Sequence, residues 1–283
     1  MAVMRETYQL RVVEEFAHLL FSPHEGKPLG LVRLVHVPAT DSRVGEIARL
    51  QIELSRTQGR PFFYGWDIRR QYSRRELVEA ELFRFQVTSA FEPTGEQCGT
   101  LYNDSASCAI CGADAPQLSD LRLNLSRIPR VRSVSRTIGG EVVILNSLAE
   151  LLMRHGVSPA HFRPVRDHEN DKVSNAWSQL SIPDARLDVG VGTLCGNELF
   201  AAEEESKTYR CSFGHVLGLA VLSEVQAARA SYGGEDFAAS NQFVGVRRGL
   251  LRPERLLFIS PRIWQILDQE QPRGVRIEVA HLV

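Results

Sequence analysis

Lysine is scarce in this chain: only Lys27, Lys172 and Lys207 occur, and arginine carries nearly all of the positive charge. Basic and acidic residues are close to balanced, with a formal net charge of -1 over 283 residues. A dedicated nucleic-acid binder is normally clearly basic, so the balance argues against that class. Long apolar runs are missing as well. No stretch approaches the roughly 18 residues that a membrane-spanning helix needs. Residues Met1 to Glu15 mix charged with apolar side chains and lack the apolar core of a secretory leader. The sequence contains no GxxxxGK[ST] loop, no GxSxG elbow and no HExxH helix. Nothing therefore marks a phosphate loop, a serine hydrolase or a zincin. Cysteine is also sparse, with five in all. An odd number containing closely spaced pairs fits a reducing cytoplasm and metal ligation better than a disulfide framework.

All five cysteines fall in two similar signatures. The first runs Cys98-Gly99, then Cys108-Ala109-Ile110-Cys111-Gly112; the second runs Cys195-Gly196, then Cys211-Ser212-Phe213-Gly214-His215. Downstream of each lies an apolar run, Val142–Leu145 or Leu256–Ile259, followed by a helix-start pattern at Ser147 or Ser260. The pairing of Cys98 with Cys195, Ser147 with Ser260 and Phe162 with Ile277 predicts a diverged internal duplication. The expected fold class is α+β. An N-terminal α/β domain (1–94) is followed by a first repeat with its linker (95–190) and a second, degenerate repeat (191–283).

Within the first domain, Leu31–Val37 reads as a strand and Val44–Arg56 as an amphipathic helix through Ile47, Leu50 and Leu54. Ser73 with Glu76 forms a capping box, in which each side chain satisfies a backbone N–H left open in the first helical turn. Alternation over Leu121–Leu125 predicts a half-buried strand. Ser147 with Glu150 suggests a second capping box, and Ser260-Pro261 a helix start with proline in the first turn. The polar stretch 166–190 reads as a solvated linker.

Two thiolates two residues apart on a tight turn can face one ion, and a following glycine relieves the turn. The metal-ligand candidates are Cys98, Cys108, Cys111, Cys195, Cys211 and His215, with structural zinc the expected ion. Two arrangements stay open. Each repeat can hold its own ion, with Cys98 or Cys195 as third ligand and His161 or His168 near enough in sequence to supply a fourth. Alternatively Cys108, Cys111, Cys211 and His215 form one shared site. A redox Cys-x-x-Cys would cap a helix, whereas Gly112–Pro116 has turn composition. Arginine groups at Arg69-Arg70 with Arg74-Arg75, at Arg127, Arg130 and Arg132, and at Arg247-Arg248 can clamp phosphates or carboxylates. The neighbouring acids make a solvated, paired face the simpler reading. Phe62-Phe63-Tyr64-Gly65-Trp66 reads mainly as core.

These residues carry a resemblance. Glu96-x-Cys98-Gly99-Thr100 through Cys108-x2-Cys111-Gly112, with Pro129 and Gly140-Glu141 ahead of a strand, helix and glycine, resembles bacterial paired CxxCG-motif proteins of the kind found in myxobacteria. It is also similar to immunity proteins of polymorphic toxin systems. The likeness spans about residues 60–283 and departs from the pattern at Cys211-x3-His215. It implies a cytoplasmic, non-enzymatic zinc protein that neutralises a cognate toxin, and it implies no catalytic residues. The competing expectation is a nucleotide- or nucleic-acid-directed zinc protein that uses its arginine clusters.

Overall fold

A computed structural model of the chain describes residues 5–158, 161–183, 186–200 and 209–283. The protein is mixed α+β and mostly sheet, with five α-helices among the described residues. The chain divides into two compact units, Met1–Glu79 with Glu198–Glu205, and Ala80–Asn197 with Ser206–Val283. Among the described residues no helix is long and apolar enough to cross a membrane.

The first unit is a four-stranded sheet of β1 (Arg5–Val13), β2 (Lys27–Leu29), β3 (Val32–Pro38) and β4 (Phe63–Gln71), in the order β2-β3-β1-β4. A short helix α1 (Glu14–Ala17) follows β1, and the longer α2 (Val44–Gln58) packs Ile47, Leu50 and Leu54 into the core. Gly59 ends α2 in the left-handed conformation, at φ 64°. Phe62 and Phe63 are core, as expected, while Tyr64 is exposed. The capping box at Ser73 forms, with Ser73 N donating to Glu76 Oε2 at 2.6 Å and Glu76 N to Ser73 Oγ at 3.3 Å. The helix it starts, α3 (Arg74–Glu79), is short. Leu199 and Phe200 return to this unit and pack on its core.

The second unit holds two six-stranded sheets. In chain order its elements are β5 (Leu82–Val87), β6 (Ala90–Phe91), β7 (Leu121–Leu123), β8 (Val134–Thr137), β9 (Val142–Leu145), α4 (Asn146–Arg154), β10 (Phe162–Asp167) and β11 (Val173–Leu180). Then come β12 (Arg186–Leu187), β13 (Cys195–Gly196), β14 (Ala220–Val221), β15 (Val225–Ala227), β16 (Phe237–Val244), β17 (Glu254–Ile259), α5 (Pro261–Glu270) and β18 (Val275–Leu282). One sheet runs β6-β8-β9-β11-β10-β7 and the other β12-β16-β17-β5-β18-β15. The pairing directions match strand for strand. The outermost pair at each end is parallel and the three inner pairs are antiparallel.

Three sequence expectations need correction. Residues 166–190 are not a loop throughout, because Val173–Leu180 forms β11 in the middle of a sheet. Its small polar residues hid it: Gln179 exchanges amide hydrogen bonds with Gln117, and Ser178 Oγ donates to Asn146 Oδ1. Within the stretch Asp167–Lys172 forms a turn, closed by Asp171 N on Asp167 O. Second, α4 starts at Asn146 with Leu145 at the cap and no side-chain capping bond, so Ser147 makes no capping box. Ser260 does cap α5, accepting from Ile263 N, with Pro261 in the first turn. Third, Ser147 and Ser260 do not hold the same helix position, since Ser260 is the N-cap of α5 while Ser147 lies inside α4. The apolar faces of the two helices align from their starts, Leu148, Ala149 and Leu152 against Ile263, Trp264 and Leu267.

Burial is concentrated on the central strands. Leu82, Phe83, Phe85 and Val87 of β5 are all buried, and Phe83 stacks on Trp264 at 5.1 Å between ring centroids. Each such side chain contributes about 1.5–3 kcal/mol by leaving water. Replacing Phe83 by Ala should therefore cost about 3–5 kcal/mol of unfolding free energy in a urea titration. Leu118→Ala, on a side chain that stays exposed, should change it by less than about 0.5 kcal/mol.

Candidate metal centre

Two tight turns build the site. In the first, Cys108 N donates to Ala113 O at 2.9 Å and Gly112 N to Cys108 O at 2.7 Å. In the second, Cys211 N donates to Val216 O at 3.0 Å and Gly214 N to Cys211 O at 2.9 Å. Gly112 and Gly214 both lie in the left-handed region, at φ 67° and 77°. A side chain there would be strained, and at Gly112 a Cβ would also meet Arg247 Cβ at 2.8 Å. The bond from the cysteine N to the carbonyl five residues on is thus the same in both turns, while the glycine bond spans four residues in the Cys-x2-Cys turn and three in the Cys-x3-His turn.

The turns converge. Cys108, Cys111, Cys211 and His215 place their ligand atoms within 4.8 Å of one another. Cys108 Sγ lies 3.9 Å from Cys211 Sγ, and His215 Nδ1 lies 4.0 Å from Cys111 Sγ and 3.8 Å from Cys211 Sγ. A tetrahedron with metal–sulfur bonds of about 2.3 Å has edges of about 3.8 Å, so these separations fit four ligands around one ion. The set could hold a metal, and three sulfurs with one imidazole suit a soft or borderline cation.

Electrostatics points the same way. The backbone N–H groups of Cys111 and Ile110 point at Cys108 Sγ and push its thiol down to about 6. Burial, with Cys108 and Cys211 close by, pushes Cys111 up to about 12. One sulfur is thus ready to ionise while its neighbour resists a second negative charge. A cation among them removes that conflict. Beneath the ligands lies a small apolar bed of Ala113, Val216 and Phe243. Arg255 covers Phe243 at 4.1 Å and pairs with Asp114 at 2.7 Å. Arg252 pairs with Glu96 and Asp104 at 2.8 Å each, tying the segment after β16 to the loop that carries the first turn.

Of the six sequence candidates, the structure brings four together in the shared arrangement. Cys98 and Cys195 lie outside it. Both are buried, and burial raises both thiols, that of Cys195 to about 11. Nor are they equivalent to each other. Cys195 bridges Val221 as Tyr102 bridges Gln117. Around them Thr193 exchanges bonds with the Gln226 backbone as Thr100 does with that of Arg122. The shared anchor is Gly-Thr-Leu at 99–101 and 192–194, not the cysteine. His161 bonds instead to Ser181 O at 3.0 Å, and the ring of His168 lies by Glu169. Arg252 and Arg255 did not stand out in sequence, whereas Arg247 did, and its side chain packs beside Gly112 of the first turn.

Glu141 and Glu254 form a second polar centre. Glu141 accepts from Tyr102 Oη at 2.6 Å and from Thr137, while Glu254 pairs with Arg136. A Cβ on Gly140 would meet Glu254 Cγ at 2.8 Å, so the glycine lets the Glu254 side chain approach this turn closely. Burial raises the Glu254 carboxyl above its usual range, more than the Arg136 charge lowers it.

Compared with known proteins, the chain matches no protein-family model and no curated sequence.

Two outcomes follow. Metal analysis of purified protein should give one ion per chain, lost in Cys211→Ala and retained in Cys98→Ala; retention in Cys211→Ala would exclude this site. Because the raised Glu254 carboxyl binds its proton more tightly in the folded chain, its contribution is fully present below the unfolded value. It is lost as pH rises through the folded one. Urea unfolding from about pH 4.5 upward should show that decline, and Glu254→Gln should flatten it.

Proposed function

We propose that residues 80–283 carry two diverged copies of one unit, that their turns close on a single structural zinc ion, and that the protein acts as a non-enzymatic binding protein. The observation that carries this reading is the four-donor set itself. With four protein ligands, tetrahedral zinc has no open position for water or substrate, which is the character of a structural site. The matching sheet orders and turn bonds support the two-copy reading. Ile110 and Phe213, in the tips of the two turns, are exposed. Apolar burial therefore does little to hold these tips, and metal ligation supplies the closure that packing does not.

The resemblance to paired CxxCG immunity proteins makes a cognate toxin the partner class of choice. The arginine-based alternative has weaker support. Arg70 is buried against Glu6, Arg75 pairs with Glu79, and Arg247 lies near Glu96 and Asp104. Guanidinium groups already matched to carboxylates have less to offer a phosphate backbone.

Co-expression with the product of the adjacent gene tests the reading. The expected result is restored growth and a stoichiometric complex, both weakened in Cys211→Ala. Continued toxicity with no complex would defeat the toxin assignment. Salt-sensitive capture of oligonucleotides would favour the alternative instead.

A further inference from the structure

Resting on the two-copy reading, we infer that the copies exchange their first strands, so that neither can complete its own sheet. In sequence the first copy runs β5, β6, metal turn, β7, β8, β9, α4, β10. The second runs β11, β12, metal turn, β15, β16, β17, α5, β18. In space β11 sits between β9 and β10 of the first copy, and β5 sits between β17 and β18 of the second.

The registers are the same in both places. Phe83 lies opposite Ile259 and Val279 where Ser178 lies opposite Ile144 and Pro164. Arg84 lies opposite Phe258 and Glu278 where Gln179 lies opposite Val143 and Arg163. Each first strand fills the slot that the other copy leaves open.

Chain length enforces the exchange. In its own sheet β5 would run parallel to β6, and parallel strands of one sheet need a crossover of about a dozen residues or more. Only Thr88 and Ser89 separate them. The segment between Leu180 and Arg186 is also too short to bring β11 back to β12 within one sheet. Thr88 N bonds to Gly274 O beside the second copy's sheet, and Ser89 O accepts from Arg136 N of the first, so these two residues step directly from sheet to sheet. The metal centre follows the same rule, with two donors from each copy. The copies are therefore held together by interleaved strands first and by the ion second.

The test cuts the covalent link that joins them. A site-specific protease sequence inserted between the exposed Glu169 and Asn170 separates the copies at the β10–β11 turn. It is placed in a Leu199→Ala/Phe200→Ala background, because those side chains are a further tie from the second fragment to the first unit. After complete cleavage and treatment with EDTA, the fragments should elute together at the volume of the uncut protein with unchanged far-UV circular dichroism. Fragments that separate, with or without EDTA, would overturn the exchange.

Hydrogen exchange on the uncut wild-type protein gives an independent readout that does not depend on the insertion folding. Removing metal should speed the amides of 108–113 and 211–216 at least tenfold and leave those of β5 and β11 among the slowest. Equal acceleration of β5 and β11 would also overturn the proposal. Metal content separates the two readings: a wild-type chain that binds no zinc defeats the structural-zinc assignment and leaves the fragment result to decide the exchange.

Discussion

Two residues of backbone, Thr88 and Ser89, divide a strand at the centre of one sheet from a strand at the edge of the other. Two residues can close an antiparallel hairpin but not a parallel return within one sheet, which takes about a dozen or more, and the chain passes here from one sheet to the next. Much else in the larger unit depends on that step. It sets β5 between β17 and β18 and buries Phe83 against Trp264, while β11 lies between β9 and β10 of the first sheet. The loop between β6 and β7 and the loop between β12 and β15 meet, and they bring Cys108, Cys111, Cys211 and His215 to one place.

At that place local geometry and charge agree. Glycines in left-handed backbone fold each turn tightly enough to point two donors the same way. Amide N–H groups favour a thiolate at Cys108, while crowding with the other sulfurs disfavours a second one. A divalent cation satisfies both tendencies. The bed of Ala113, Val216 and Phe243 holds the turns from below, and the arginine–carboxylate pairs of Arg252 and Arg255 hold them from the side.

The pairing of Cys108 with Cys111 and of Cys211 with His215 on tight turns was legible in their spacing alone. Whether the two pairs stand apart or meet was not legible, since it rests on how distant loops come together. Cys98 and Cys195 misled for a simple reason. Each stands beside a glycine, but the recurring feature is the threonine that bonds the neighbouring strand, Thr100 to Arg122 and Thr193 to Gln226. Strand β11 escaped notice because its buried Ser174 and Gln179 break the apolar alternation on which strand recognition depends. In contrast α5 was clear from Ser260-Pro261 and its apolar face. For α4 the face was clear and the start was displaced, since no side chain caps it.

The position of β5 also sets a timetable for synthesis. Its neighbours β17 and β18 end at Ile259 and Leu282, so almost the whole of the unit must leave the ribosome before Leu82, Phe83 and Phe85 find their place. At about 5–20 residues per second, that delay is on the order of 10–40 s. Strand β11, by contrast, emerges after both of its partners and can dock at once. The first sheet is therefore finished early in translation, while the apolar strand β5 waits unpaired for the end of the chain. That interval is the period in which a nascent molecule is most open to capture by a chaperone or by another copy of itself.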